Sequence, residues 1–195
     1  MTPESALQVL KDGNMRFVEA KPLPKNLKKQ VKSVSEKSNP FAVILGCFDS
    51  RVPHEIIFDC NIGDFFSIRI AGNVIDEDVL GSIEFAGKVI GTALIVVLGH
   101  SNCQAVKAAI DGKVHIANLD VLLKKIKPAV DETNTSGERN SQNNKFVEDV
   151  SKQNVLNSIK LIGEKSSALG ELAKNGDINI VGAMYDLETG KVEFY

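Results

Sequence analysis

Phe41-Ala-Val-Ile-Leu-Gly46, standing between Pro40 and Cys47, is the stretch on which the reading of this chain turns. A short continuous apolar run bounded by proline and glycine is the signature of a strand buried on both faces, the habit of a central strand in a parallel sheet. Outward from it, Thr92 to Leu98 is a second buried run ending at Gly99, while Phe65-Phe-Ser-Ile-Arg-Ile70 alternates and ends at Ala71-Gly72-Asn73. Asp78 to Ile90 has helical periodicity, so strands alternate with helices. That order predicts an α/β fold with a mostly parallel central β-sheet flanked by helices, whose ligand sites lie beyond the carboxyl ends of the strands. Ile178 to Met184 and Lys191 to Tyr195, joined by Asp186-Leu-Glu-Thr-Gly190, read as a C-terminal edge strand pair around a turn.

Residues 1–37 read as an N-terminal helical arm. Thr2 caps a helix running to about Phe17, with Pro3 at its first position and an apolar stripe of Leu7, Leu10, Met15 and Val18. Lys21 to Lys37 holds six lysines (Lys21, Lys25, Lys28, Lys29, Lys32, Lys37) around Leu27, Val31 and Val34 at helical spacing, a solvated helix face or a contact surface. Residues 131–144 contain no apolar side chain and read as an exposed, mobile loop. Lys145 to Lys174 is helical with a break expected near Gly163 or Gly170. No repeat or boundary divides the 195 residues, and one domain is expected.

Charge and composition exclude several classes of function. With 23 Lys+Arg against 25 Asp+Glu the net charge is −2, which creates no general field for nucleic acid or an anionic membrane. The longest apolar run, Ala93 to Leu98, is far short of the roughly 18 residues that span a bilayer. The first residues show no export pattern, so a cytoplasmic location is expected. Three cysteines, an odd number without an export signal, favour thiol chemistry or metal binding over disulfides.

Two clusters follow the two best strands: Cys47-Phe-Asp-Ser-Arg51 and His100-Ser-Asn-Cys103. If the strands are neighbours, both clusters reach one edge of the sheet. Cys, His and Cys are then a three-ligand set for a catalytic zinc site with a fourth position open. Thiolates near the start of a helix from Gln104 to Ala109 are favoured by its positive end. For any one residue alone, a buried structural cysteine or a satisfied histidine is the plainer reading, and joint placement weighs against it. Asp49 and Arg51 stand two apart on one turn, either a surface ion pair or a carboxylate kept ionised and aimed at a metal-activated water. Cys60, away from both clusters, reads as a packing cysteine.

Cys47-x-Asp49-Ser50-Arg51-Val52 with His100-x-x-Cys103 resembles the signature of the β-class carbonic anhydrases. The similarity continues through Phe58-Asp59, Gly63-Asp64, Arg69-x-Ala71-Gly72-Asn73, Gly81-Ser82, Leu94 to His100, and Val181-Gly-Ala183-x-Tyr185-Asp186. The resemblance implies reversible hydration of carbon dioxide to bicarbonate and a proton, with zinc (Zn2+) held by Cys47, His100 and Cys103. It implies that Asp49, held by Arg51, orients the attacking hydroxide or swings in as a fourth zinc ligand, and that Gly72 and Asn73 line the substrate site. It also implies a homodimer or a dimer of dimers, with N-terminal helices wrapped around the partner.

Two positions depart from the family pattern. Ser38-Asn39-Pro40 stands where the family commonly has Gln-x-Pro, and Gln104 follows the second cysteine where glycine is usual. Both are read as substrate-contacting positions at the mouth of one crevice, with Gln104 supplying the amide missing at Ser38, or as bland surface residues. Three other functions stay open: a non-catalytic zinc-binding homologue, a hydrolase of carbonyl sulfide or carbon disulfide using the same site, and a metal-free thiol enzyme. The last is disfavoured because no Cys-x5-Arg loop is present and Cys103 would have no task.

Overall fold

Strands β1 (Ala42–Gly46) and β3 (Leu94–His100) lie side by side at the centre of the molecule, every residue of both buried. The computed structural model covers residues 1–195, and its single sheet has the order β2-β1-β3-β4-β5. Strand β2 (Phe65–Arg69) and strand β4 (Asn179–Tyr185) flank the central pair in parallel, and β5 (Val192–Phe194) closes one edge antiparallel to β4. The parallel sheet with its C-terminal edge pair matches the expectation from sequence.

Alternation along β1 and β3 feeds two cores. Ala42, Ile44, Leu94, Val96 and Leu98 face α1 (Pro3–Val18) and the short α3 (His54–Ile57), meeting Ala6, Leu10, Ile57 and Phe58. Val43, Leu45, Ile95 and Val97 face the other way, onto α4 (Glu77–Glu84), α7 (Asn144–Lys165) and α8 (Ser167–Asn175). A third core gathers beyond the carboxyl ends of the strands, where α5 (Gln104–Asp111), α6 (Ala117–Glu132) and α7 pack around Cys47 and Cys103.

Several expectations are corrected. In α1 the buried side chains are Ala6, Leu10 and Asn14, whereas Met15 points outward at 55% exposure. Asn14 takes the place that an apolar residue would fill because backbone groups of two other segments meet there: its Nδ2 donates to the carbonyls of Ile57 (3.0 Å) and Gly190 (2.9 Å), and its Oδ1 accepts from the Val192 amide (2.8 Å). Arg16 and Lys25 both reach the buried Asp59 carboxylate, at 2.7 and 2.9 Å. The arm is thus anchored to its own chain at these points. The lysine-rich stretch is helical only over α2 (Leu27–Ser33), with Leu27 and Val31 exposed.

Residues 131–144 begin and end in helix and are tied down between. Arg139 donates to the carbonyls of Thr133 and Val130 and lies over the Phe146 ring, and Ser141 Oγ donates to Asp111 at 2.7 Å. The break in the following helix falls at Ser166, whose side chain caps α8 by accepting from the Leu169 amide, and not at either glycine. Gly170 instead lets two helices touch, since a side chain there would meet the Gly163 carbonyl at 3.3 Å. The helix after α4 widens into a π-turn, Phe85–Ile90, which stops at left-handed Gly91.

Candidate metal centre

Register brings the two clusters together. β1 and β3 pair in parallel with Gly46 opposite Leu98, so Cys47 leaves one strand beside the place where His100 ends the other. Asn102 adopts a left-handed conformation (φ 54°), which asparagine tolerates, and this turns the loop so that His100 and Cys103 face the same point. The ligand atoms of Cys47, His100 and Cys103 all lie within 4.8 Å of one another, and all three residues are buried.

The donor set fits a tetrahedral metal ion. The two sulfurs are 4.0 Å apart, and bonds of about 2.3 Å at tetrahedral angles would space them about 3.8 Å. His100 Nδ1 lies 2.9 Å from the Ser101 carbonyl, an arrangement that puts the proton on Nδ1 and turns the lone pair of Nε2 into the cluster. Nε2 is buried without a hydrogen-bond partner, as a waiting ligand atom would be. The Cys47 thiol is pushed down to about 4, chiefly by the Cys103 hydrogen bond, with burial opposing and His100 and the Gly72 amide assisting. Its partner Cys103 is pushed the other way by the same contact and by burial.

Asp49 stands at the rim, its Oδ2 4.0 Å from His100 Nε2. Arg51 holds it through two parallel bonds, Nε to Oδ1 (2.9 Å) and Nη2 to Oδ2 (2.7 Å), with the Arg51 amide also on Oδ1 (3.0 Å). These bonds keep its carboxyl down at about 2, foremost the Arg51 side chain. Arg69, at the end of β2, donates to the carbonyls of Cys47 and Asp49 and so fixes the loop that carries both.

The carbonic anhydrase family matches residues 42–192. Carbonic anhydrase 2 of Mycobacterium tuberculosis is 38% identical over 97% of this chain and 91% of its own length, and the carbonic anhydrase of Mycolicibacterium smegmatis is 38% identical over 98% and 92%. The chain belongs to the β-carbonic anhydrase family. Among solved structures the β-carbonic anhydrase CcaA shares the fold with a TM-score of 0.78 at 24% identity, over 98% of this chain and 88% of that one. A chain from the crystal structures of two tetrameric β-carbonic anhydrases of Sordaria macrospora shares it at 0.72 and 23% identity, over 84% of this chain and 84% of that one.

Within this β-carbonic anhydrase chain the remaining candidates do not all gather at the cluster. Gly72 does: its amide donates to Cys47 Sγ at 3.3 Å, in a left-handed conformation (φ 65°) that glycine supplies. Asn73 follows it, buried and also left-handed. Gln104 is exposed in the first turn of α5, next to Cys103. Ser38 is elsewhere. It lies beside Gly63, before β1 begins, whereas Cys47 follows the end of that strand, roughly 17 Å away at 3.3 Å per residue. Within one chain, Ser38 and Gln104 therefore do not share a crevice, because a strand separates what nine residues of sequence seem to keep close. Cys60 is buried, donates to the Phe58 carbonyl, and is pushed up to about 12 by burial, an unreactive packing thiol.

Sequence reasoning passed over His54. Its imidazole is fully buried, with Nδ1 2.8 Å from Ser67 Oγ and Nε2 without a partner, pressed against Gly46. A Cβ on Gly46 would sit 2.2 Å from that nitrogen, so the residue before Cys47 has to be glycine while His54 is present. Pro53-His54, one residue beyond the Asp49-Ser50-Arg51 turn, gave only a weak hint, since a lone histidine there has no partner in sequence.

Proposed function

We propose that the protein is a zinc-dependent carbonic anhydrase that converts carbon dioxide and water to bicarbonate and a proton, and back. The observation that carries the reading is the buried Cys47, His100, Cys103 group with an unpartnered His100 Nε2, in a chain of this family. Cys47, His100 and Cys103 would hold the ion; zinc in such a set acts as a Lewis acid and brings the pKa of water towards about 7. Asp49 serves as a fixed acceptor. Held at about 2, it is too weak a base to keep a proton at neutral pH, so it orients the attacking oxygen by accepting a hydrogen bond, and the released proton goes to solvent. Arg51 keeps that carboxylate ionised and turned to the rim, and Arg69 keeps the loop in place. Gln104, beside Cys103 and exposed, is the amide available to bicarbonate at the mouth.

A homo-oligomer is part of the same proposal. Phe48, Ile56, Phe85 and Val89 are all more than half exposed, Phe85 shares a surface hollow with Phe66 and Ile68 of the edge strand β2, and solved relatives from Sordaria macrospora are tetrameric. Uncovered apolar side chains beside an unpaired strand edge favour burial against a second copy. No helix of the chain is long and apolar enough to cross a membrane.

Metal analysis and stopped-flow carbon dioxide hydration on one sample test the reading. About one zinc per chain and rapid hydration are expected, with Cys103→Ser losing the metal. Metal-free protein from zinc-replete medium, or Cys103→Ser retaining full zinc after mild chelation, would remove the basis of the proposal.

A further inference from the structure

Helix α7 buries three polar side chains, of which Ser151 bonds back to the Val147 carbonyl of its own helix and two reach outside it. Asn154 and Ser158, one turn apart and each 3% exposed, lie among Val150, Val155 and Ile162. Burying an amide and a hydroxyl is unfavourable unless both are bonded, and their bonds go to consecutive carbonyls of one turn. Asn154 Nδ2 donates to the Gly72 carbonyl at 2.8 Å and Ser158 Oγ to the Asn73 carbonyl at 3.2 Å.

That turn needs holding. Gly72 and Asn73 are both left-handed, at φ 65° and 45°, a succession that an L-residue chain does not favour by itself. Its far side carries the amide that donates to Cys47 Sγ at 3.3 Å. One residue, Gly72, is therefore gripped by its carbonyl from α7 and offers its N–H to the sulfur. A side chain there would be strained at this positive φ and would displace the end of Ile126, whose Cδ1 would lie 2.6 Å from the added Cβ.

We infer that Asn154 and Ser158 are positioning residues of the metal centre: they fix the Gly72-Asn73 turn so that its amide stays on the Cys47 sulfur. The inference rests on Cys47 being a metal ligand, as proposed above. Two thiolates concentrate negative charge in a buried site, and an N–H aimed at one of them offsets part of it. Losing the anchor lets the amide drift. The sulfur lone pairs then rise in energy, the buried negative charge at the centre loses part of its offset, and metal affinity falls. Removing an outer partner of a metal ligand costs about 10- to 100-fold in affinity in other sites.

The test compares Asn154→Leu, Ser158→Ala and Ser158→Thr with the parent protein. Asn157→Ala serves as control, since it lies on the same helix and bonds only Glu132 and Gln153. Zinc affinity is read by chelator competition, and the cobalt-substituted protein is read by its sulfur-to-metal charge-transfer band. Asn154→Leu should weaken zinc binding about 10- to 100-fold and move the band to longer wavelength. Ser158→Ala should do both to a smaller degree, and Ser158→Thr and the control should do neither. Parent protein that takes up no metal overturns the ligand assignment and this inference together. Parent protein that binds normally while folded Asn154→Leu and Ser158→Ala match it in affinity and band overturns the inference alone. Should both variants fail to fold, the cadmium-113 form of the parent decides: coupling between the metal and the Gly72 amide proton is expected, and its absence overturns the proposed contact.

Discussion

Replacing Gly46 by alanine should damage the protein through His54, and the damage should vanish when His54 is removed too. The added methyl would lie 2.2 Å from His54 Nε2 and 2.7 Å from Cε1, against about 3.4 Å or more for ordinary contact, so the ring must retreat by roughly 1 Å. It is fully buried and anchored to Ser67 at 2.8 Å, so retreat strains the core and breaks that bond. Overpacking costs about 1–3 kcal/mol and the lost hydrogen bond about 0.5–1.5 kcal/mol, a coupling of about 1.5–4.5 kcal/mol between the two positions. Gly→Ala inside a strand returns about 0.5–1 kcal/mol in either background, which leaves Gly46→Ala alone net destabilised by about 2 kcal/mol. In the His54→Ala background the same change should be neutral or stabilising, because the methyl enters vacated space. The measurement is guanidinium unfolding of the parent, both single variants and the double, at one protein concentration and pH 8, with equal m-values. Additivity within about 0.5 kcal/mol would show that the ring moves freely and that the contact does not constrain the strand end that carries Cys47.

Acid should weaken the fold partly through the same ring. Burial, aided by the Arg69 charge, pushes His54 from 6.5 down to about 3, so its contribution is fully present above pH 6.5 and is lost as pH falls towards 3. The stability difference between the parent and His54→Phe should shrink below pH 6.5 by up to about 1.4 kcal/mol per pH unit; a flat difference would mean the histidine is protonated in the fold. Asp49→Asn should keep metal and fold but lose most of kcat, because an amide turns one of the two Arg51 contacts into donor against donor; activity within a few-fold of the parent in stopped-flow would rule out the orienting role. Gln104→Gly should lower kcat/KM by roughly 2- to 13-fold, the worth of one neutral hydrogen bond, with zinc content unchanged; an equal or faster enzyme would show that the amide contacts solvent only.

The central sheet was readable because Ala42 to Gly46 and Ala93 to Leu98 are buried on both faces, leaving no room for polar residues. The cluster was readable for a related reason: adjacent parallel strands must end together, so residues directly after them must meet. What could not be read depends on contacts between segments distant in sequence. Asn154 and Ser158 sit in an ordinary helical pattern, and only their partners at Gly72 and Asn73 give them a purpose. The helix α6 went unassigned because Pro128 lies inside it and Gly112 to Ile116 precede it without a capping side chain. The break at Ser166 was assigned to a nearby glycine because glycine propensity is a local signal, while the actual choice belongs to a cap and to helix packing. Ser38 was assigned to the substrate site from the family pattern alone, and a pattern does not say at which end of β1 the residue falls within its own chain.

Asn14 has a consequence for the order in which the molecule can be made. Its three bonds reach Ile57, Gly190 and Val192, so the seat of the first helix is built partly from residues 176 and 178 positions later. A growing chain adds about 5–20 residues per second, which leaves α1 waiting about 9–35 s after it emerges before its last partners exist. During that interval Leu10 and Ala6 have no cover from the hairpin end, and the central strands must find one another first. Assembly therefore proceeds from the middle outward. The arm at the start of the chain is among the last parts to lock, and it locks by closing on the tail.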